Sequence, residues 1–340
     1  MSFRTTKEKL EHLLSILDVK DKLLIVISPD PDAISSAWAL KRLLTRKVHT
    51  ITIAFIRETK RLDNLAMIKL LRIPLKPLSG LDISFYTKLA IVDSQPHHFP
   101  ELESLSFDII IDHHPLKSKI ETSFVDIEPD CGATATLLTE YLRSMKIKPS
   151  TYLATALFYG IKTDTQNFAL RGTERDIKAF RYLFNYINQT LIRKIETSEL
   201  SLDNIHYFKK AFNAMQVSWR YHRIFVFLGE IDNPDICVIL ADFFLRIYEI
   251  SWSIVAGTYQ DRIIVIFRSD GYRKNAGSLA EKAFGKIGQA GGHKEMARAE
   301  IPFGNLENVL ASFTVENLRS FLLHQITKAG SENGFILRTN

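Results

Sequence analysis

Short apolar segments of this chain end on acidic or imidazole side chains, a pattern that places ionisable groups at one edge of a parallel sheet. The segment 107–111 is followed directly by Asp112, His113 and His114, and then by Pro115. Its β-branched residues predict a buried strand, and the proline ends the ladder. Because α/β proteins bind ligands at the carboxyl ends of their strands, this strand end is a candidate site. A polar turn after a core strand is the alternative interpretation.

Further carboxylates follow other apolar segments in the same way. One continuous apolar strand precedes Asp30 and Asp32, another precedes Asp93, and a predicted helix precedes Asp164. Carboxylates with imidazole form a ligand set that suits Mn²⁺ or a similar divalent ion. Two such ions about 3.5–4 Å apart can bind a phosphoryl oxygen and activate a water. The alternatives are helix N-capping for Asp30 and Asp32, and solvated turns for Asp93 and Asp164.

The order of predicted elements indicates how these groups are positioned. Apolar runs at 23–27, 48–55, 89–92 and 107–111 predict strands, and periodic segments at 33–44, 61–71, 133–145 and 151–161 predict helices. This alternation favours an α/β domain with a doubly wound, mostly parallel sheet. The pattern is helical over 174–215, and a second strand-rich unit follows. We therefore expect a catalytic domain at 1–190, a helical connector at 191–215 and a smaller α/β domain at 216–340.

The composition is that of a globular chain, and its modest positive charge suits an anionic ligand but by itself does not establish one. Of 340 residues, 46% are hydrophobic and 24% charged, with a formal net charge of +6. No apolar run approaches the ~18–20 residues of a membrane span, and the N-terminus lacks the apolar core of a signal peptide. Cys131 and Cys237 match no metal-ligand spacing. We therefore expect a cytoplasmic protein without membrane contact.

Together these motifs resemble, in sequence order, the four motifs of the DHH phosphoesterase superfamily: 29–33, Asp93, 112–114 and 160–165. Segments 268–271 and 291–293 resemble the DHHA1 domain that accompanies it. Domain order and size are similar to the nanoRNase (NrnA-like) branch. The resemblance implies a parallel α/β DHH domain, joined by a helical connector to a smaller α/β DHHA1 domain. It also implies a hydrolase, namely a manganese-dependent phosphoesterase or oligoribonuclease.

The resemblance further implies a two-ion site with assigned ligands. Asp93 would bridge two Mn²⁺ ions and Asp30 would bind the first of them. Asp32, His113 and Asp164 would bind the second.

The other implied roles concern catalysis and substrate. His114 would contact the substrate phosphate, and Asp112 would orient the histidines. Arginine can fork onto a phosphate or stack on a base, and paired glycines let backbone N–H groups approach an anion. The implied substrate-binding residues are Arg268, Ser269, Gly291, Gly292 and His293. They lie in a glycine-bearing, basic loop expected at 268–298, which has seven basic and three acidic residues; a solvated basic surface is the alternative.

The chain departs from the family motif at one ligand position. The motif commonly begins with a metal-binding histidine four residues before its first aspartate, where this chain has Val26. The first metal site is therefore expected to be weak. His97 and His98 are candidate substitutes, with a solvated loop as the other interpretation. Ala290 also replaces the usual third glycine before His293.

The expected function is metal-dependent phosphodiester hydrolysis on short oligonucleotides (nanoRNA and linear dinucleotides). The bisphosphate 3′-phosphoadenosine 5′-phosphate is expected as a further substrate. Two alternatives stay open: a small-metabolite phosphatase, and a nucleotide-binding regulatory module weakened by Val26. The expected partners are a short single-stranded oligonucleotide or a mononucleotide bisphosphate, and a second copy of the chain in a homodimer.

Overall fold

The structure is a computed structural model that describes residues 5–102, 105–116, 120, 122–169, 172–272, 275–307, 309–310 and 312–331. The chain divides into two compact units, Met1–Glu199 and Leu200–Asn340. Arg273 and Lys274, which belong to the basic segment 268–298, lie outside the described residues.

Among the described residues, the first unit is built on a parallel sheet of six strands. The parallel α/β class is the one that the sequence predicts. The strands are β1 Lys22–Ile27, β2 Thr50–Phe55, β3 Leu75–Pro77, β4 Lys88–Val92, β5 Ile109–Asp112 and β6 Phe124–Ile127. Their order is β3-β2-β1-β4-β5-β6, so the direction of winding reverses between β1 and β4. Such a reversal is the topological switch point at which open α/β sheets bind ligands.

The α-helices pack on one face of the sheet and connecting segments cover the other, and the hydrophobic pattern of β1 follows from burial on both faces. The helices of this unit are α1 Thr6–Ser15, α2 Pro31–Leu44, α3 Leu62–Leu71, α4 Thr134–Ser144, α5 Thr151–Asp164, α6 Glu174–Phe184 and α7 Gln189–Glu196. Leu23, Ile25 and Ile27 point into the main core, which includes apolar residues of α2, α4 and α5. Leu24 and Val26 point to the opposite face. Because both faces are buried, β1 is a continuous apolar run.

Val26 lies in an apolar environment. Its side chain has no exposed surface and packs in a cluster with Ile91, Phe107 and Ile110. The position at which the family motif commonly has a metal-binding histidine therefore contributes to the sheet core in this chain.

The second unit is a mixed sheet with helices on both faces. Its strands are β7 Gln216–Ser218, β8 Arg223–Glu230, β9 Trp252–Tyr259, β10 Arg262–Ser269, β11 Gln289–Gly292 and β12 Met296–Pro302. Its helices are α8 Ile205–Ala214, α9 Asp235–Leu245, α10 Ala276–Phe284 and α11 Val315–Ser331. The strand order is β11-β12-β10-β9-β8-β7, with β8 and β9 parallel and the other pairs antiparallel. Successive residues of β10 alternate between the two cores.

The structure corrects the expectation of a loop at 268–298. This segment contains α10 and the hairpin of β11 and β12. Asn275 caps α10, since its side chain accepts a 2.9 Å hydrogen bond from the backbone N–H of Ser278. The glycines and basic residues of this segment favoured the prediction of a loop. Asn275, a good N-cap residue, was the sequence signal for the start of α10.

The residues 191–215, predicted as a connector, are divided between the units. The helix α7 packs against α3 and α5, whereas α8 packs against β8 and α9. No helix in the described part of the chain has the length and apolar character required to cross a bilayer.

Candidate metal centre

The chemistry-bearing residues follow neighbouring strands of the first sheet. In the parallel register Val26 lies beside Ile91, and Val92 lies beside Ile111. The segments after β1, β4 and β5 therefore leave the same edge of the sheet at its switch point.

Asp30 begins α2. It is the N-cap residue, and its carboxylate accepts a 2.8 Å hydrogen bond from the backbone N–H of Ala33. Pro31 occupies the first helical position, where its fixed φ suits the helix. The capping interpretation therefore holds for Asp30. A carboxylate oxygen that accepts one hydrogen bond still has a lone pair for a cation.

Asp32 caps a different helix from its own. Its two carboxylate oxygens accept 2.7 Å hydrogen bonds from the backbone N–H groups of Thr134 and Ala135, at the start of α4. The N-cap residue Ala133 has no side-chain acceptor, so Asp32 satisfies these donors from α2. Burial raises the pKa of Asp32 to about 7, and the neighbouring charge of Asp164 adds to this effect.

Asp93 leaves β4 in an unusual backbone conformation. Its backbone N–H donates a 2.8 Å hydrogen bond to the carbonyl oxygen of Ile111 in β5. The backbone φ angle of Asp93 is 60°, which turns the chain out of the sheet after this residue. Its carboxylate accepts a 2.7 Å hydrogen bond from the hydroxyl of Thr134. Burial raises its pKa well above the ordinary value, and repulsion from Asp32 and Asp30 acts in the same direction.

His113 faces three of these carboxylates with one ring nitrogen. Its Nδ1 lies 3.1 Å from the carbonyl oxygen of Cys131, which can only accept, so Nδ1 carries the hydrogen. The opposite nitrogen, Nε2, lies 3.1 Å from Asp164, 3.5 Å from Asp93 and 4.0 Å from Asp32. Nε2 is buried and has no hydrogen-bond partner among the residues that the structure describes.

This donor set fits a divalent cation. Potential ligand atoms of Asp32, His113 and Asp164 lie within 4.8 Å of one another, and so do those of Asp93, His113 and His114. A buried Nε2 lone pair among carboxylates is satisfied by a cation, since none of these groups can donate to it when ionised. The same cation would offset the repulsion that raises the pKa values of the buried carboxylates.

Asp164 comes to the site at the end of α5, which extends through this residue instead of ending at 161 as predicted. One turn earlier, α5 approaches α2 closely at Gly160. A Cβ atom there would lie 2.5 Å from the Oγ atom of Ser35 and 3.2 Å from the Cα atom of Asp32. This close approach requires a glycine and fixes α5 against the helix that carries Asp32.

Asp112 orients one histidine ring. Its fully buried carboxylate accepts hydrogen bonds of 2.8 Å from His114 Nδ1 and 2.7 Å from Gln95 Nε2. It also accepts from the backbone N–H of His113, whereas the ring of His113 is held by Cys131. We expected Asp112 to orient both rings, and the structure assigns it one.

Hydrogen bonding and burial shift the pKa values of this pair in opposite directions. Burial acts to raise the pKa of Asp112, but the bonds from His114 and Gln95 outweigh it and lower the pKa. The same bond to Asp112 raises the pKa of His114. The side chain of His114 is 42% exposed, so it presents a charge-supported donor to solvent.

Of the two proposed substitutes for the missing ligand, His98 has hydrogen-bond partners, whereas Nε2 of His97 is buried and makes no hydrogen bond with the described residues. The Nδ1 atom of His98 lies 3.0 Å from the hydroxyl of Ser94 and accepts from the backbone N–H of Gln95. The ring of His98 lies 5.8 Å from that of His114, and His97 packs edge-on against His98. Both histidines are half-buried, in contrast to a solvated loop.

In the second unit, Arg268 is held by an acidic neighbour. Its Nε atom donates to Asp242 on α9 over 2.5 Å, and its side chain is 15% exposed. The hydroxyl of Ser269 donates to the backbone carbonyl of Lys294 over 3.0 Å, so Ser269 joins the end of β10 to the turn after β11.

The two glycines of β11 differ in their surroundings. A Cβ atom on Gly291 would meet no atom within 4 Å, so its backbone borders open space. Gly292 has a φ of 149° and packs against the backbone of Met296 and Ala297. His293 follows in the exposed turn of the hairpin. The approach of an anion to Gly291 stays a prediction.

Sequence reasoning missed several groups that hold the ligands. They are the carbonyl of Cys131, the N–H groups of Thr134 and Ala135, the hydroxyl of Thr134 and the amide of Gln95. Most of them are backbone groups, and because almost every residue has the same backbone groups, a sequence does not show which ones will bind a side chain. The run of small residues at 132–136, at a helix start, was the available signal.

The parallel sheet thus has, at its switch point, a cluster of carboxylates and histidine whose donor set fits a divalent cation. Two family models match the chain: the DHH family, N-terminal domain, over residues 22–161, and the DHHA1 domain over residues 221–316. The chain belongs to the DHH/DHHA1 phosphoesterase superfamily. The NrnA-like branch stays a prediction.

The chain is also similar in sequence to two other proteins. An uncharacterized protein of Methanocaldococcus jannaschii is 36% identical over 328 residues, covering 95% of this chain and 66% of that protein. A probable manganese-dependent inorganic pyrophosphatase of Deinococcus radiodurans is 28% identical over 154 residues, covering 44% of this chain and 48% of that protein. The chain thus spans just under two thirds of the first relative and about half of the second.

A solved structure shares the fold. The exopolyphosphatase-related protein from Bacteroides fragilis superposes with a TM-score of 0.69 at 17% identity, covering 98% of this chain and 99% of that chain. At this identity the likeness concerns the fold.

Proposed function

We propose that this protein is a divalent-metal-dependent phosphodiesterase that hydrolyses short oligonucleotides and linear dinucleotides, with 3′-phosphoadenosine 5′-phosphate as a further substrate. The observation that carries the proposal is the buried, unpartnered Nε2 of His113, which faces carboxylates at the switch point of the sheet. Membership of a phosphoesterase superfamily supports phosphoester hydrolysis. The accompanying DHHA1 domain supports a substrate that carries a nucleotide.

Mn²⁺ is the proposed cofactor, and Asp30, Asp32, Asp93, His113 and Asp164 are its proposed ligands. Carboxylate oxygens with one imidazole suit this ion, and the D. radiodurans relative is described as manganese-dependent. When bound, two ions would supply the charge that binds a phosphate and activates the attacking water. The buried hydrogen bonds to Asp32 and Asp93 fix the ligands before any ion arrives.

His114 is the proposed contact to the reacting phosphate. The Nδ1 atom is bonded to Asp112, so Nε2 is the nitrogen available to substrate. Because the pKa of His114 is raised, its charged form persists to higher pH than that of an ordinary histidine. A charged N–H donor stabilises the negative charge that develops on the phosphate oxygens during hydrolysis.

The second unit would bind the nucleotide part of the substrate. Asp242 orients the guanidinium of Arg268 through Nε, and other N–H groups of the fork would bind a phosphate or the guanidinium would stack on a base. Gly291 would admit the anion to the backbone, and His293 would add a donor.

Val26 favours a second candidate function. It is a buried core residue, so the first metal site has one strong ligand fewer than the family motif provides. A chain with an incomplete metal site could act as a nucleotide-binding regulatory module. A phosphatase for a small phosphorylated metabolite is the further enzymatic alternative.

A substrate panel with metal analysis tests these functions together. The purified protein is supplied with Mn²⁺ and offered a dinucleotide, a tetranucleotide, 3′-phosphoadenosine 5′-phosphate and a sugar phosphate, and bound metal is counted. Turnover of the nucleotides with two bound ions is the expected result. Turnover of the sugar phosphate alone would indicate a metabolite phosphatase. Nucleotide binding without turnover would indicate the regulatory module.

A further inference from the structure

One short backbone segment, 131–136, contacts three of the proposed metal ligands. The carbonyl of Cys131 receives the hydrogen of His113 Nδ1 over 3.1 Å. The N–H and hydroxyl of Thr134 reach Asp32 and Asp93, each over 2.7 Å. The position of this segment therefore sets the orientation of ligands that come from α2, β4 and β5.

Asp176 on α6 holds both ends of this segment. One carboxylate oxygen accepts a 3.0 Å hydrogen bond from the backbone N–H of Gly132, and the other accepts a 2.6 Å bond from the hydroxyl of Thr136. The side chain of Asp176 is fully buried. It also accepts from the backbone N–H and hydroxyl of Thr173, in the capping box of α6.

We propose that Asp176 is a positioning residue for the metal centre and acts through the 131–136 segment. This inference rests on the proposed metal centre. Asp176 lies beyond residues 22–161, the part of the chain matched by the DHH model, and it belongs to none of the motifs considered above. Asp176 acts on His113 by holding the Cys131 carbonyl in place. This carbonyl accepts the hydrogen bond from His113 Nδ1 and so determines which ring nitrogen carries the hydrogen.

The physical argument is the matching of donors and acceptors. Among the described residues, the hydrogen bonds to the Asp176 side chain come from N–H, O–H and S–H donors, which an ionised carboxylate accepts at both oxygens. An asparagine would place an NH₂ group opposite some of these donors, so the segment would have to shift. A shift of the Cys131 carbonyl would free the His113 ring to adopt either tautomer.

The test compares Asp176→Asn with the matched control Asp126→Asn in the full chain. Asp126 is equally a buried aspartate of the first unit, but it accepts from Lys9 and from the hydroxyl of Tyr141, each over 2.5 Å. Mn²⁺ titration should show about 10- to 100-fold weaker binding for Asp176→Asn, the usual effect of removing a partner that orients a ligand. Asp126→Asn should lower the unfolding midpoint and keep the wild-type Mn²⁺ affinity.

A second measurement needs no metal. The ¹⁵N chemical shifts of the His113 ring should show one tautomer, protonated at Nδ1, in the wild type and a mixture in Asp176→Asn. If Asp176→Asn does not fold, Thr136→Val removes one of the bonds to Asp176 and should change binding and tautomer in the same direction.

The outcomes separate this inference from the proposed function. Wild-type affinity and a single tautomer in Asp176→Asn would overturn the inference. So would equal losses of Mn²⁺ affinity in both variants, since that would mark a structural role. A wild type that binds no Mn²⁺ would defeat the proposed function, while the tautomer of His113 would still decide the role of Asp176.

Discussion

At the residue scale, the acidic side chains of the site serve the fold and the proposed chemistry together. Asp30 caps α2, and Asp32 caps α4 from a neighbouring helix. Capping and metal binding were therefore not exclusive interpretations of the sequence. The motifs located these side chains, because residue identity is what a sequence records. They could not locate the carbonyl that holds His113, because every residue has one.

The role of His114 gives a prediction at this scale. His114→Gln should lower kcat on a dinucleotide by about 10²-fold, because a charged donor to the reacting phosphate is lost. The number of Mn²⁺ ions bound per chain should stay the same. Ligand atoms of His114 also lie near those of Asp93 and His113, so counting bound metal is the decisive control. Loss of a bound ion in the variant would make His114 a metal ligand instead.

At the element scale, the contact between α2 and α5 fixes the first-turn carboxylates of α2. The elements with continuous apolar runs or clear periodicity, such as β1 and α2, were predictable from sequence. The strands β3, β6, β7, β11 and β12 were missed, since very short runs and runs interrupted by charges or glycines resemble loops. The pairing of β12 with β10 spans the intervening α10 and is set by the tertiary fold, whereas β11 joins β12 in a local hairpin.

Gly160→Ala tests the helix contact. The added methyl group would overlap Ser35 and crowd the backbone of Asp32, so α2 and α5 must move apart. We expect a loss of about 1–3 kcal/mol in the free energy of unfolding, together with weaker Mn²⁺ binding. Gly304→Ala is the control, because a Cβ atom there meets nothing within 4 Å. Unchanged stability and affinity in Gly160→Ala would contradict the contact.

The attachment of α1 to the sheet gives a pH-dependent prediction. Lys9 is paired with Asp126 and Glu128. Burial alone would raise the pKa of Glu128, but the bond and charge of Lys9 outweigh it and lower the pKa. A lowered carboxyl pKa contributes stability above the ordinary value of 4.5, and this contribution is lost as the pH falls through the folded-state pKa.

Lys9→Met should therefore lower the urea midpoint most at about pH 7, and the difference from wild type should shrink towards about pH 3.5. Burial acts to lower the pKa of Lys9, but the charge and hydrogen bond of Asp126 help to raise it overall. The contribution of charged Lys9 to the free energy of unfolding therefore persists until the pH rises above the ordinary lysine pKa of 10.5. Urea unfolding curves at the two pH values provide the measurement. If the urea midpoints of the wild type and Lys9→Met differ by the same amount at both pH values, the ion pairs of Lys9 do not contribute to stability.

At the scale of the whole molecule, the chain joins a DHH domain to a DHHA1 domain. The α/β class and the presence of two units could be predicted from the alternation of elements and the chain length. The division of 191–215 between the units could not, because a helical pattern does not show which core a helix packs against.

Arg268→Ala and His293→Ala test the assignment of nucleotide binding to the second unit. Each should lower kcat/KM on a dinucleotide by roughly 10- to 150-fold, the effect of losing a charge-assisted hydrogen bond of about 1.5–3 kcal/mol. Hydrolysis of a small aryl phosphodiester, which lacks the second nucleotide, should change little. Equal losses on both substrates would assign these residues to catalysis or folding. No loss on either would make 268–298 an ordinary basic surface.

The most direct test of the proposed metal-dependent phosphodiesterase activity is dinucleotide cleavage by the wild type and by Asp93→Asn. Each protein is stripped of metal and then supplied with Mn²⁺. Asp93 is the proposed bridging ligand, and its amide variant loses the charge while the hydroxyl of Thr134 can still bond to the amide oxygen. We predict that the wild type releases mononucleotides only after Mn²⁺ is added, and that Asp93→Asn folds normally by circular dichroism and releases none. Cleavage by Asp93→Asn at the wild-type rate, or no cleavage by wild type at any Mn²⁺ concentration, would contradict the account.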